Sequence, residues 1–169
     1  MQSGSTSSVR SQQRALVVAL GASNLSRGLS RLVTICRRCT SKPIDLFAGA
    51  GHGRSYGANS RIWSRRLPSI LGSGLWRSLD RYFGSDALNS TTRLAVITDI
   101  GNDLLYGFSV EQIVIWVEEI VFRLQQRGFD VVITQLPIES IQAVGSLRFH
   151  VLKSILVPGC QHSLKAIKD

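Results

Sequence analysis

Short apolar runs alternate along this chain with longer stretches of helical spacing. Ala15–Leu20 (ALVVAL) is a continuous apolar run of strand length. Leu25, Leu29, Leu32, Val33 and Cys36 then recur at the spacing that gathers side chains on one helix face. Ile44–Ala48 predicts a second strand, and a glycine-rich stretch, GAGHGRSYG, runs from Gly49 to Gly57. Leu71, Leu75, Leu79 and Tyr82 mark the inner face of a helix predicted over 70–82. Arg93–Ile100 predicts the third strand. Ser109-x-x-Gln112 is a capping box ahead of Ile113, Val117, Ile120, Val121 and Leu124, and Gly128 stands where a C′ glycine closes that helix. Val131–Gln135 predicts a fourth strand, stopped by Pro137, and a further helix is expected over 141–152. Residues 1–14 are polar and predict a flexible tail ahead of a single domain over 15–169.

Near-continuous apolar strands alternating with helices imply an α/β fold with a parallel sheet covered on both faces, a three-layer α/β/α sandwich. Such sheets bind ligands beyond the C-terminal ends of their strands. Three strand ends here carry polar or glycine-rich residues: Gly21-Ala22-Ser23-Asn24, Gly49–Gly57, and Gly101-Asn102-Asp103. Their convergence on one edge of the sheet is the informative feature, more than any one motif.

Composition narrows the classes. A chain of 169 residues with 44% hydrophobic and 18% charged residues is a folded domain, not a disordered segment. The net charge of +9 would suit a polyanion partner. The arginines are dispersed, however, and the densest stretch, Arg54 to Arg77, has no regular aromatic spacing for base stacking. A solvated basic face with no nucleic-acid partner is expected. Cys36, Cys39 and Cys160 are too few for a disulfide scaffold, and Cys36-x-x-Cys39 lacks the two further ligands of a zinc site. No metal or organic cofactor is called for. Ala15–Leu20 is shorter than a signal-peptide core, and no apolar run approaches the ~18 residues of a membrane span. The expected location is cytoplasmic, with no membrane partner.

Ser23 lies between a buried strand and a helix start, where its hydroxyl could act as a nucleophile near the positive helix end. Equally, Ser23 or Asn24 could simply cap that helix. The glycines of the second loop could present backbone N–H donors to a developing oxyanion, and the Asn102 amide could supply another. Gly51-x-Gly53-x-x-x-Gly57 also admits a phosphate-cradling reading, although no acidic residue ends a strand about 20 residues later.

In these three loops the chain resembles the SGNH (GDSL-type) hydrolases. Their first block, Gly-Asp-Ser after strand one, is matched by Gly21-Ala22-Ser23, with alanine in place of the aspartate. Their second-block glycine is matched by Gly51 or Gly53, with Gly53 favoured. Their Gly-x-Asn-Asp block is matched by Ile100-Gly101-Asn102-Asp103, with the glycine displaced by one position. The resemblance spans residues 15–136 and implies a flavodoxin-like parallel sheet. It also implies hydrolysis of an ester by Ser23, with Gly53 and Asn102 holding the oxyanion. Asn24, Gly51, Arg54 and Asp103 are the expected contacts of the small-molecule ester substrate. The family's last block, Asp-x-x-His, occurs nowhere in the sequence, which suggests a truncated family member of impaired activity. His52 lies at the correct sheet edge to stand in as the base, ahead of His150 and His162. The alternatives are a non-catalytic small-molecule-binding domain on the same scaffold and a nucleotide-binding α/β protein. If a fifth strand is missing, the fourth becomes an open sheet edge, and a homodimer is expected.

Overall fold

A computed structural model of the chain describes residues 13–62, 65–84, 92–135 and 165. The elements run β1 (Ala15–Leu20), α1 (Ser23–Cys39), β2 (Ile44–Gly49), β3 (Ser60–Ile62), β4 (Arg65–Leu67) and α2 (Leu75–Phe83). They continue with β5 (Thr92–Ile97), α3 (Asn102–Leu105), α4 (Val110–Gln125) and β6 (Asp130–Ile133). The fold is α/β. Four strands form a parallel sheet in the order β2-β1-β5-β6, and β3 and β4 form a separate antiparallel hairpin.

The register brings the C-terminal ends of the strands level. Leu20 stands opposite Gly49 on one side and Ile97 on the other, and Ile97 stands opposite Ile133. All six residues of β1 are buried, as its unbroken apolar run requires of a central parallel strand. Leu16, Val18 and Leu20 share a core with Trp76 and Leu79 of α2 and with Ile113, Val117, Ile120 and Leu124 of α4. Strand alternation sends Ala15, Val17 and Ala19 to the opposite face. The chain leaves β1 for β2 in one direction and β2 for β5 in the other. Right-handed crossovers therefore place α1 on the face away from α2 and α4. The latter two helices are clamped together: Arg127 pairs with Asp80 at 2.7 Å, and Arg123 and Arg127 lie over the Trp76 ring.

Several boundaries differ from the sequence reading for physical reasons. The second helix begins at Leu75, five residues later than expected, because Ile70–Gly74 forms a turn. There the Ile70 carbonyl accepts from the Ser73 N–H and from the Trp76 indole at 3.0 Å. The third strand ends at Ile97, since Asp99 turns the chain away at φ 65°. The hairpin and α3 were not expected, being three to four residues long, too short for periodicity. Arg14, assigned to the flexible tail, is instead held by a two-pronged ion pair with Asp45, both contacts at 2.6 Å. The capping expectation at Ser109 holds, its side chain accepting from the Gln112 N–H. Gly128 closes that helix at φ 74°. The helix expected over 141–152, together with His150, Cys160 and His162, lies outside the described residues. No helix among the described residues is long and apolar enough to cross a membrane.

Candidate functional site

The three loops after β1, β2 and β5 are tied into one constellation by hydrogen bonds that cross between them. The Gly21 N–H donates to the Gly49 carbonyl and the Thr98 N–H to the Leu20 carbonyl, which extends the parallel ladder one step past the strands. The fully buried Tyr56 points its hydroxyl at the carbonyls of Thr98 and Leu20, so the glycine loop is pinned beneath the ends of both central strands. Burial pushes the Tyr56 phenol well above its ordinary pKa, with the Asp99 charge adding to the effect, so it stays a neutral donor.

Asp103 braces the same loop from the other side. It is fully buried, and its Oδ2 accepts the Tyr56 N–H at 2.9 Å. Burial raises its pKa, opposed by hydrogen bonds from the Ser55 side chain and the Tyr56 backbone. Its Oδ1 finds no partner among the described residues. The expected role of Asp103 in contacting substrate does not fit this position, which has no exposed surface. One turn further, the Tyr106 hydroxyl donates to the Gly53 carbonyl at 2.5 Å. Gly53 itself sits at φ 65°, where glycine is strongly favoured, whereas Gly51 has no such requirement and a Cβ there would meet Leu67 and Arg54 at ordinary contact distance.

Around Ser23 the decisive residue is Asp99, which the sequence reading missed. Helix α1 starts at Ser23, its N-cap is Ala22, and no side chain of its own caps it. Neither Ser23 nor Asn24 is therefore the cap that the alternative reading required. The cap comes from across the sheet edge. Asp99 Oδ2 accepts the N–H groups of Ala22 (2.8 Å), Asn24 (3.2 Å) and Leu25 (3.1 Å), while Oδ1 accepts from Asn24 Nδ2 at 2.6 Å. Gly21 is needed for this approach, because a Cβ there would sit 2.7 Å from the Thr98 side chain and 3.1 Å from its carbonyl. The visible signal in the sequence was an aspartate directly after an apolar strand and next to a glycine turn. Aspartate is one of the few non-glycine residues that tolerate positive φ.

The allocation of donors is selective. Among the described residues, the N–H of Ser23 takes no hydrogen bond and neither does its hydroxyl, although the amides on both sides are engaged by Asp99. The Gly53 N–H and the Asn102 side-chain amide likewise have no hydrogen-bond partner among the described residues. Asn102 is the first residue of α3, with its own N–H bonded to the Asp99 carbonyl at 3.1 Å. Open donors thus remain on each of the three loops.

The other expected contacts are more committed. Asn24 donates to Asp99 and accepts from Arg27 at 3.2 Å, so its side chain is largely occupied in holding the turn. Arg54 donates to the carbonyls of Pro68 (3.1 Å) and Ala50 (3.2 Å), closing the glycine loop onto the segment after β4, and desolvation lowers its pKa. His52 is exposed, and its ring makes no hydrogen bond among the described residues. Among the described residues no base is in contact with Ser23.

The glycine loop leads into β3, not into a helix, and lacks the helix N-terminus on which a phosphate-cradling loop relies. Gly57 serves packing instead, since a Cβ there would fall 1.9 Å from the Trp116 ring. Cys36 and Cys39 lie in the last turns of α1, and burial raises the Cys36 thiol pKa. Among the described residues no cluster of three or more metal-ligating side chains occurs. No protein-family model matches the chain, and no curated protein matches it in sequence.

Proposed function

We propose that the protein is a serine hydrolase acting on a small-molecule ester, with Ser23 as nucleophile. The N–H groups of Ser23 and Gly53 and the Asn102 amide are its oxyanion donors. The strand order β2-β1-β5-β6 supports the flavodoxin-like sheet of the SGNH scaffold, and the resemblance of the three loop sequences supports the assignment of roles. One observation carries the reading most. Asp99 engages the amides of Ala22, Asn24 and Leu25 and, among the described residues, leaves the N–H and hydroxyl of Ser23 open at the helix N-terminus.

In the proposed reaction the Ser23 oxygen attacks the ester carbonyl and gives its proton to the base, and the oxyanion accepts from the three donors as charge develops. Collapse expels the alcohol, which takes up that proton, and water then cleaves the acyl-serine to release the acid and free Ser23. Removing one such donor costs about 3 kcal/mol of transition-state stabilisation, so Asn102→Ala should slow hydrolysis about a hundredfold. His52, exposed on the second loop, is the proposed base. Without a base a serine is a weak nucleophile, and the site would keep only the roughly 10³–10⁴-fold catalysis over water that binding and oxyanion stabilisation supply.

The absence of a base contact among the described residues favours, as a second reading, a domain that binds esters without turning them over. Hydrolysis of p-nitrophenyl acetate by the wild-type chain and its loss in Ser23→Ala would support the enzyme. Equal rates in the two proteins would sink it. A further fall in His52→Ala would assign the base.

A further inference from the structure

The first loop departs from the family pattern at a single informative position. Where the resemblance expects aspartate, this chain has Ala22, whose side chain is fully buried. A carboxylate nevertheless reaches that turn. Asp99, from the end of β5, accepts the N–H of Ala22 itself at 2.8 Å, then those of Asn24 and Leu25, and finally the Asn24 side chain. Its backbone is turned to φ 65°, and it is the sole non-glycine residue with positive φ among the described residues. Such a conformation is unfavourable for a residue with a side chain and persists where surrounding contacts over-determine it. Four hydrogen bonds to one turn are such contacts.

We infer that Asp99 is the positioning residue of the Ser23 turn, supplying from the neighbouring strand the carboxylate that the sequence lacks at position 22. Its Oδ2 holds the N–H groups of Ala22, Asn24 and Leu25, and its Oδ1 holds the Asn24 side chain, so the backbone is fixed before and after Ser23. The Ser23 N–H and Oγ are thereby held at the helix N-terminus without being consumed. The fixed negative charge also offsets the positive end of α1, so the turn is stable before any anionic species forms there. The catalytic meaning of this role rests on the hydrolase reading above; the placement of the carboxylate does not.

The test is an exchange of the two positions. Asp99→Gly removes the carboxylate, and because glycine also relieves the positive φ, the fall in Tm is a lower bound on what the four hydrogen bonds contribute. Ala22→Asp alone crowds a second carboxylate against Asp99, and like charges in one site disfavour each other. Each single variant should lower the Tm by roughly 4–8 °C, the scale of a lost cap or an unpaired buried charge. The double variant restores one carboxylate to the turn, at the N-cap position from which a side chain reaches the Asn24 and Leu25 N–H groups. Its Tm should return to within roughly 3 °C of wild type. A Tm in the double variant as low as the two losses summed would overturn the assignment.

Should Ala22→Asp fail to fold, the exposed pair gives a second exchange. Asp99→Asn replaces the charge-assisted bond to the Asn24 amide with a neutral amide pair, and Asn24→Asp in that background restores one charged partner. Recovery supports the clamp, and none contradicts it. Labelling of Ser23 by a fluorophosphonate probe reports positioning beyond stability. In Asp99→Asn the limiting labelling rate should fall about tenfold, ~1.4 kcal/mol, with the half-saturating probe concentration unchanged. An unchanged limiting rate would overturn the positioning role. An unlabelled wild-type chain with a Tm that recovers in the double variant would remove the hydrolase reading and leave the carboxylate assignment standing. A labelled wild-type chain with no recovery would do the reverse.

Discussion

Asp103 and Asp99 stand four residues apart and answer to different physics. Asp99 is a half-buried acceptor with four donors around it. Asp103 is sealed in the interior, where burial outweighs the hydrogen bonds from Ser55 and Tyr56 and raises its pKa. A carboxyl group whose pKa is higher folded than unfolded favours the folded state at acid pH. That contribution is fully present below the unfolded value, about 3.9, and is lost as pH rises through the raised folded value. Asp103→Asn keeps an acceptor for the Tyr56 N–H and abolishes this dependence. Thermal melts should show Asp103→Asn at least as stable as wild type at pH 7, with a flatter profile from pH 4 upward. Asp103→Ala strands the Tyr56 N–H and should cost about 1–3 kcal/mol. A steeper loss for Asn than for Ala would contradict this account of the loop brace. Nothing in the sequence distinguished the two aspartates, because burial and partners are properties of the packed structure.

The elements divide by length. β1 was legible to the residue, since six consecutive apolar positions bounded by Arg14 and Gly21 leave little freedom, and α4 was legible from its cap at Ser109 to its closing Gly128. The hairpin was hidden by its composition: Arg61 stands directly opposite Arg66, a pairing that no strand pattern would suggest. The glycine loop was read as chemistry throughout, yet its last glycine is there for packing. Gly57 lies under the Trp116 ring of α4, and Trp116 in turn meets Phe108 edge-on at 4.8 Å. Gly57→Ala should therefore destabilise the fold by about 1–3 kcal/mol through overpacking. Trp116→Leu, which withdraws the ring, should recover part of that loss in the double variant. Additive losses measured by denaturant melts would show that the contact is not what constrains Gly57.

At the scale of the molecule, a parallel sheet with a buried central strand converts three separate sequence signals into one place. Leu20, Gly49 and Ile97 are level in the register, so the loops that follow them meet whatever their individual lengths. That much followed from alternating strands and helices. The ties that make the meeting rigid did not, because Tyr56, Asp99 and Tyr106 act through contacts 36 to 77 residues away in the chain. Ser23, Gly53 and Asn102 were legible as candidates, and the carboxylate that leaves Ser23 open was not. The measurement that tests the account most directly is fluorophosphonate labelling of the folded chain, followed by peptide mass spectrometry. The account predicts covalent modification at Ser23, abolished in Ser23→Ala and by prior unfolding. An unmodified Ser23 in folded protein, or equal labelling of several exposed serines, would contradict it.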